Sequence, residues 1–210
     1  METKRVRVIG AGLAGSEAAL QLASFGFDVD LYEMRPEKPT PAHRGGALAQ
    51  LVCSNSFKGL ALTSAHGLLK NELNMLGSFL LKAAERTAVP AGESLTVNRD
   101  LFSEEVERLI LACPNITLHR EEVKTLEGEF PTIVAAGPLA SDTLADDIFK
   151  RLGSERLHFF DAIAPVVETE SIDFEHAFYK NRWEKGETED FINCPLDKET
   201  YDLFVQKLRE

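Results

Sequence analysis

Hydrophobic positions recur along this chain with two periods, and glycine and proline mark where one gives way to the other. Val6, Val8 and Ile9 make a β-branched run that predicts a strand ending at Gly10. From Ala14 to Phe25 the apolar residues Ala14, Ala18, Leu22 and Phe25 return at helical spacing, with Gly26 placed to close the helix. Asp28 to Glu33 predicts a second short strand. Ala65 to Arg86 carries Leu68, Leu69, Leu73, Leu76, Phe79 and Leu80, which predicts one long amphipathic helix with its apolar stripe in the core.

Val89 to Gly92 reads as a breaking turn, Ser94 to Val97 as a strand, and Asp100 to Ala112 as a helix with Asp100 at its N-cap. Ile116 to Leu118 and Glu122 to Leu126 read as a pair of short strands, and Pro131 to Gly137 as a buried strand ending in glycine. A helix is expected from Ser141 to about Leu152. The pattern then changes. His158 to Thr169 is aromatic and β-branched, Asn181 to Glu189 charged, and Phe191 to Pro195 apolar, before a last helix from Asp197 to Leu208 with Asp197 as N-cap. Alternating strands and helices place the chain in the α/β class. Residues 1–155 are expected to form a nucleotide-binding domain and residues 156–210 the beginning of a second domain, cut short at Glu210.

The glycines after the first strand sharpen this. Gly10, Gly12 and Gly15 satisfy G-x-G-x-x-G between a strand and a helix, Ala19 and Gly26 extend the pattern, and Glu33 follows 18 residues after Gly15. The first glycine serves the tight turn, the second the approach of a pyrophosphate, and the third close packing of helix on strand. An acid at the end of the second strand accepts hydrogen bonds from a ribose diol. A Rossmann-like dinucleotide site is therefore expected, against the plainer reading of a tight turn without a ligand.

Met34 to Gln50 is rich in proline and glycine and predicts a long irregular loop carrying Arg35, His43 and Arg44. It leads to Cys53, Ser54, Asn55 and Ser56. Small polar residues around one thiol read either as capping groups for the next helix or as a reactive site. The three cysteines, Cys53, Cys113 and Cys194, have no metal-ligand spacing, and no metal site is expected.

With 44% hydrophobic and 27% charged residues, the 210-residue chain has the composition of a globular protein. No apolar run is long enough for a membrane span and the N-terminus lacks a signal-peptide pattern, so a cytoplasmic protein without a membrane partner is expected. A net charge of −11 argues against a general nucleic-acid coat. The acidity is uneven, because residues 1–60 carry seven Lys and Arg against six Asp and Glu.

Taken together, the blocks Gly10 to Glu17, Tyr32 to Pro36, Thr40 to His43, Val52 to Ser56, Val89 to Gly92, Arg120 to Val123, Ala136 to Leu139 and Asn193 to Pro195 resemble the N-terminal half of the folate- and FAD-dependent tRNA (uracil-5-)-methyltransferases, the TrmFO or Gid family. The resemblance implies a flavoprotein of the glutathione-reductase type, an FAD-binding domain followed by the start of an inserted α/β domain. It implies transfer of a methylene group from 5,10-methylenetetrahydrofolate to a uridine in the tRNA T-loop, with NAD(P)H reducing the flavin. The T-arm of tRNA, folate and a second copy of the chain are the partners it suggests.

Site residues follow from the same resemblance. Gly10, Ala11, Gly12, Leu13, Ala14 and Gly15 would hold the FAD pyrophosphate and Glu33 its ribose, while Val123 and Gly137 fall where backbone atoms of such folds meet the adenine half and the phosphates. Cys53 would be the catalytic thiol, either as the nucleophile, since a thiolate added to uracil C6 makes C5 nucleophilic, or as the thiol that restrains the flavin-bound methylene. His43, Ser54 and Asn55 would orient folate or uracil, and Arg35, Arg44 and Lys58 would meet phosphates. The family's second functional cysteine and its returning C-terminal segment have no counterpart here, and Cys194 belongs to the Asn193 to Pro195 block. An FAD-binding fragment without activity, or another Gid-related flavoprotein of tRNA uridine modification, are the alternatives.

Overall fold

The computed structural model describes residues 4–153, 167–181 and 189–209. The chain divides into two units, Met1–Val89 with Leu95–Ala164, and Pro90–Ser94 with Pro165–Glu210.

In the first unit, β1 (Arg5–Ile9) leads into α1 (Leu13–Ser24) and β2 (Asp28–Tyr32). β3 (Ser56–Gly59), α2 (Ala65–Met75), α3 (Phe79–Arg86), β4 (Ala88–Val89), β5 (Ser94–Val97) and α4 (Arg99–Leu111) follow, then β6 (Ile116–His119), β7 (Thr132–Val134) and α5 (Asp142–Leu152). Four strands form a parallel sheet in the order β6-β2-β1-β7, with Val8 opposite both Leu31 and Ile133. β3, β5 and β4 form a separate three-stranded sheet.

The alternation along β1 and β2 decides where the core lies. Val6, Val8, Val29 and Leu31 are buried, and the last three pack with α1, α3 and α4 through Ala19, Leu20, Leu80, Leu81, Phe102 and Val106. The intervening positions are polar. Arg7 bonds Thr132 and the carbonyls of Leu126 and Glu127, while Asp30 meets His119, whose ring stacks on Tyr32 at 4.5 Å. One face of the sheet is thus apolar and the other laced by hydrogen bonds.

Five expectations are corrected, the first being the buried strand at Pro131 to Gly137: β7 covers only Thr132–Val134 there, and its Ile133 and Val134 are exposed. The long helix is two, because Gly77 adopts φ +81° after α2 and Ser78 caps α3 by accepting from the Leu81 amide. Leu68, Leu69, Leu73 and Leu76 are exposed rather than core, and of the predicted stripe Leu80 is buried. The N-cap of α4 is Asn98, whose side-chain oxygen accepts from the amides of Asp100 and Leu101, so Asp100 lies in the first turn. Residues 122–126 form no strand; they are held as an irregular segment in which the Leu126 amide donates to Asp147 at 2.7 Å.

The second unit holds a two-stranded antiparallel sheet of β8 (Phe178–Tyr179) and β9 (Ile192–Asn193), and a helix, α6 (Lys198–Arg209). Asp197 accepts from the Thr200 amide at 2.7 Å, as expected of an N-cap. Most of the aromatic run from His158 to Thr169 and of the charged run from Asn181 to Glu189 lies outside the described residues. Among the described residues no helix is long and apolar enough to cross a membrane.

Candidate functional site

The turn between β1 and α1 is shaped by three glycines with different surroundings. At Gly10 φ is +96°, and a Cβ would meet the Ala135 carbonyl oxygen at 2.6 Å. A Cβ on Gly15 would fall 1.8 Å from the Gly10 carbonyl oxygen, so the helix approaches the turn as closely as glycine permits. Gly12 differs, because nothing lies within 4 Å of where its Cβ would stand. It is the N-cap of α1 and brings no capping side chain to the helix's first amides. The open space at Gly12 therefore faces unpaired N–H groups and the positive end of the helix dipole.

That space belongs to a cavity of about 330 Å³ at the carboxyl ends of β1, β2 and β7. Gly10, Gly12, Leu13 and Ala14 line one side of it. Glu33, Arg35 and His43 line another, and Val123 and Gly137 also reach it. Ala11 and Gly15 are buried behind the turn. Cys53, Ser54 and Asn55 are not among its lining residues, although Val52 is. Arg44 and Lys58 also lie outside the lining.

Glu33 is buried and already engaged. One carboxylate oxygen accepts from the Ala11 amide at 3.2 Å, and the other accepts from the Arg35 amide at 3.1 Å and its Nε at 2.8 Å. Burial alone would raise its pKa, but the hydrogen bond and charge of Arg35, with the Arg35 and Ala11 amides, hold the carboxyl below its ordinary value. The two oxygens have about four lone-pair sites between them. Three donors leave room for a further hydroxyl.

The loop from Met34 to Gln50 forms a wall rather than a loose strap. Arg120 donates one guanidinium nitrogen to the carbonyls of Arg35 and Gly46, and another to Glu107. Gln50 accepts from the Arg44 amide at 2.9 Å and donates to its carbonyl at 2.8 Å. His43 Nδ1 lies 2.7 Å from Thr40 Oγ1. Sequence reasoning missed Arg120 and Gln50 as site-forming residues, since spacing says nothing of a side chain reaching a distant carbonyl.

Cys53 is exposed, in a segment fixed two residues later by Asn55. Asn55 donates its side-chain amide to the Val97 carbonyl at 2.9 Å, and its own carbonyl accepts from the Val97 amide at 3.0 Å. Ser54 accepts from the Ser56 amide, so its hydroxyl serves the local turn.

The family model described as glucose inhibited division protein A matches residues 5–210. The chain belongs to this family. It is 50% identical over 205 residues to the methylenetetrahydrofolate–tRNA-(uracil-5-)-methyltransferase TrmFO of Lactobacillus helveticus, covering 98% of this chain and 50% of that protein. It is 49% identical over 205 residues to the protein of the same name from Dictyoglomus turgidum, covering 98% and 46%. The solved structure of Aquifex aeolicus GidA is 22% identical, with a TM-score of 0.48, over 60% of this chain and 20% of that one. The chain spans about half the length of the curated relatives it matches.

Proposed function

We propose that this chain provides the FAD-holding part of a folate-dependent tRNA (uracil-5-)-methyltransferase. The observation that carries the cofactor reading is the open, amide-lined space at Gly12, which continues into the cavity at the carboxyl edge of the sheet. Gly12, Leu13 and Ala14 would take the pyrophosphate, Glu33 a ribose hydroxyl, and Val123 and Gly137 the adenine half and the phosphates. FAD, when bound and reduced, would supply the electrons that convert a transferred methylene group to methyl. The reaction itself is suggested by the names of relatives about 50% identical to this chain.

In this reading the Cys53 thiolate would add to C6 of the uracil, so that C5 bonds the methylene carbon; loss of the C5 proton to solvent and departure of tetrahydrofolate would leave an exocyclic methylene, and once that is reduced to methyl the thiolate would leave by elimination. His43 and Asn55 would orient folate or base. The methylene donor would be 5,10-methylenetetrahydrofolate, the RNA a tRNA T-arm, and the source of flavin electrons NAD(P)H. Mixing the enzyme with T-loop RNA carrying 5-fluorouridine traps the C6 adduct. A covalent protein–RNA band that disappears in Cys53→Ser supports the assignment, and one that persists removes Cys53 from the nucleophile role.

A further inference from the structure

Helix α2 is packed with its leucines outward. Gly67 and Lys70 are its buried residues, while Leu68, Leu69 and Leu73 are exposed. Burying an ammonium group in place of a leucine is costly unless its N–H groups are satisfied. The Lys70 Nζ donates to the Phe57 carbonyl at 2.7 Å and to the His66 carbonyl at 2.8 Å. A lysine that only closed its own helix would need His66 alone; the bond to Phe57 reaches into β3.

The peptide it grips is a special one. Lys58, the residue after that carbonyl, has φ +68°, a left-handed conformation that side chains other than glycine adopt only when their surroundings impose it. The Lys58 amide donates to Ser56 Oγ at 3.1 Å, and the Phe57 ring packs edge-on against the buried Phe102 at 5.4 Å. On the other side of the segment, a Cβ on Gly67 would come within 2.1 Å of the Ala61 carbonyl oxygen, so α2 lies directly on this backbone. Lys70 therefore fastens a strained turn that begins four residues after Cys53, while Asn55 fastens the chain between them.

We propose that Lys70 is a positioning residue for Cys53: its buried ammonium sets the peptide after Phe57 and, through the Asn55–Phe57 segment, the presentation of the exposed thiol. The functional meaning rests on Cys53 being the reacting group; the mechanical coupling does not. The test uses the 210-residue chain and iodoacetamide, with alkylation followed peptide by peptide, so that Cys194 serves as an internal reference.

Lys70→Met keeps the length of the side chain and removes its donors. It is expected to speed Cys53 alkylation at least about threefold relative to Cys194, with faster amide hydrogen exchange at residues 56–60, because the segment opens locally. Lys70→Arg, which keeps the donors, is expected to stay within about twofold of the parent chain. Should Lys70→Met fail to fold, Lys70→Gln, which keeps a donor on a shorter side chain, is compared with Lys70→Arg in the same way, and a Cys53 rate within about twofold of the parent chain in both overturns the proposal. An unchanged Cys53 rate in Lys70→Met overturns the proposal. So does an equal change at Cys53 and Cys194, or a Lys70→Arg variant as altered as Lys70→Met. A wrong assignment of Cys53 as nucleophile would show in the RNA adduct and leave these rates as they are.

Discussion

Glu17 in α1 caps the helix that begins after Ser78: its carboxylate accepts from Ser78 Oγ at 3.0 Å and from the amides of Phe79 and Leu80 at 3.1 and 2.8 Å. An acid inside the glycine-rich fingerprint thus serves α3 rather than a ligand. It joins the two helices that cover the same sheet face and meets the positive end of α3. Glu17→Ala is expected to lower unfolding free energy by about 2 kcal/mol, since charge-assisted bonds to helix amides are lost. Chemical denaturation followed by circular dichroism measures it, and a loss under about 0.5 kcal/mol, the scale of an ordinary surface substitution, contradicts it.

The glycines of the turn are expected to separate folding from binding. Gly12 has φ −73° and ψ −166°, which alanine adopts, and open space beyond. Gly12→Ala should therefore keep stability within about 0.5 kcal/mol while weakening flavin binding about tenfold or more, because the methyl group occupies the phosphate approach. Gly15→Ala should cost about 3 kcal/mol by driving a methyl group into the Gly10 carbonyl. Flavin titration and thermal melts of both variants test the division.

Glu33 should leave a signature in acid. Its folded pKa is depressed, so its contribution to stability is full above the unfolded value of about 4.3 and disappears as pH falls through the folded value. Glu33→Gln is expected to be less stable than the parent chain near neutrality, with the gap narrowing below about pH 4. Denaturation midpoints at several pH values decide it; a gap that widens in acid would reverse the assignment.

The start of α4 offers a direct comparison of neighbours. Asn98→Ala should cost about 1 kcal/mol through loss of the cap. Asp100→Ala should change stability by less than about 0.5 kcal/mol. The opposite order in denaturation would restore Asp100 as the capping residue.

The first βαβ unit was readable because its cause is local. Val6 to Ile9 alternate into the core, Gly10 and Gly15 stand where a Cβ cannot, and Glu33 meets the turn through the Ala11 amide. Gly137 and Val123 come to the same cavity, which a motif alone would not have located. Periodicity over Ala65–Arg86 revealed an apolar face but not what it faces, and it concealed both the break at Gly77 and the inward Lys70. Residues 122–126 have an apolar pattern, yet their hydrogen bonds run to Asp147 and Arg7, partners with no sequence signal.

Arg120 holds the cavity wall by carbonyl oxygens, at Arg35 and Gly46, and not by the side chains between them. The ends of the wall are thus pinned through groups that every residue carries, while Lys38 at Glu122 and Thr40 at His43 hold its middle by side chains. A change at one arginine beyond β6 would therefore loosen both ends of the wall at once.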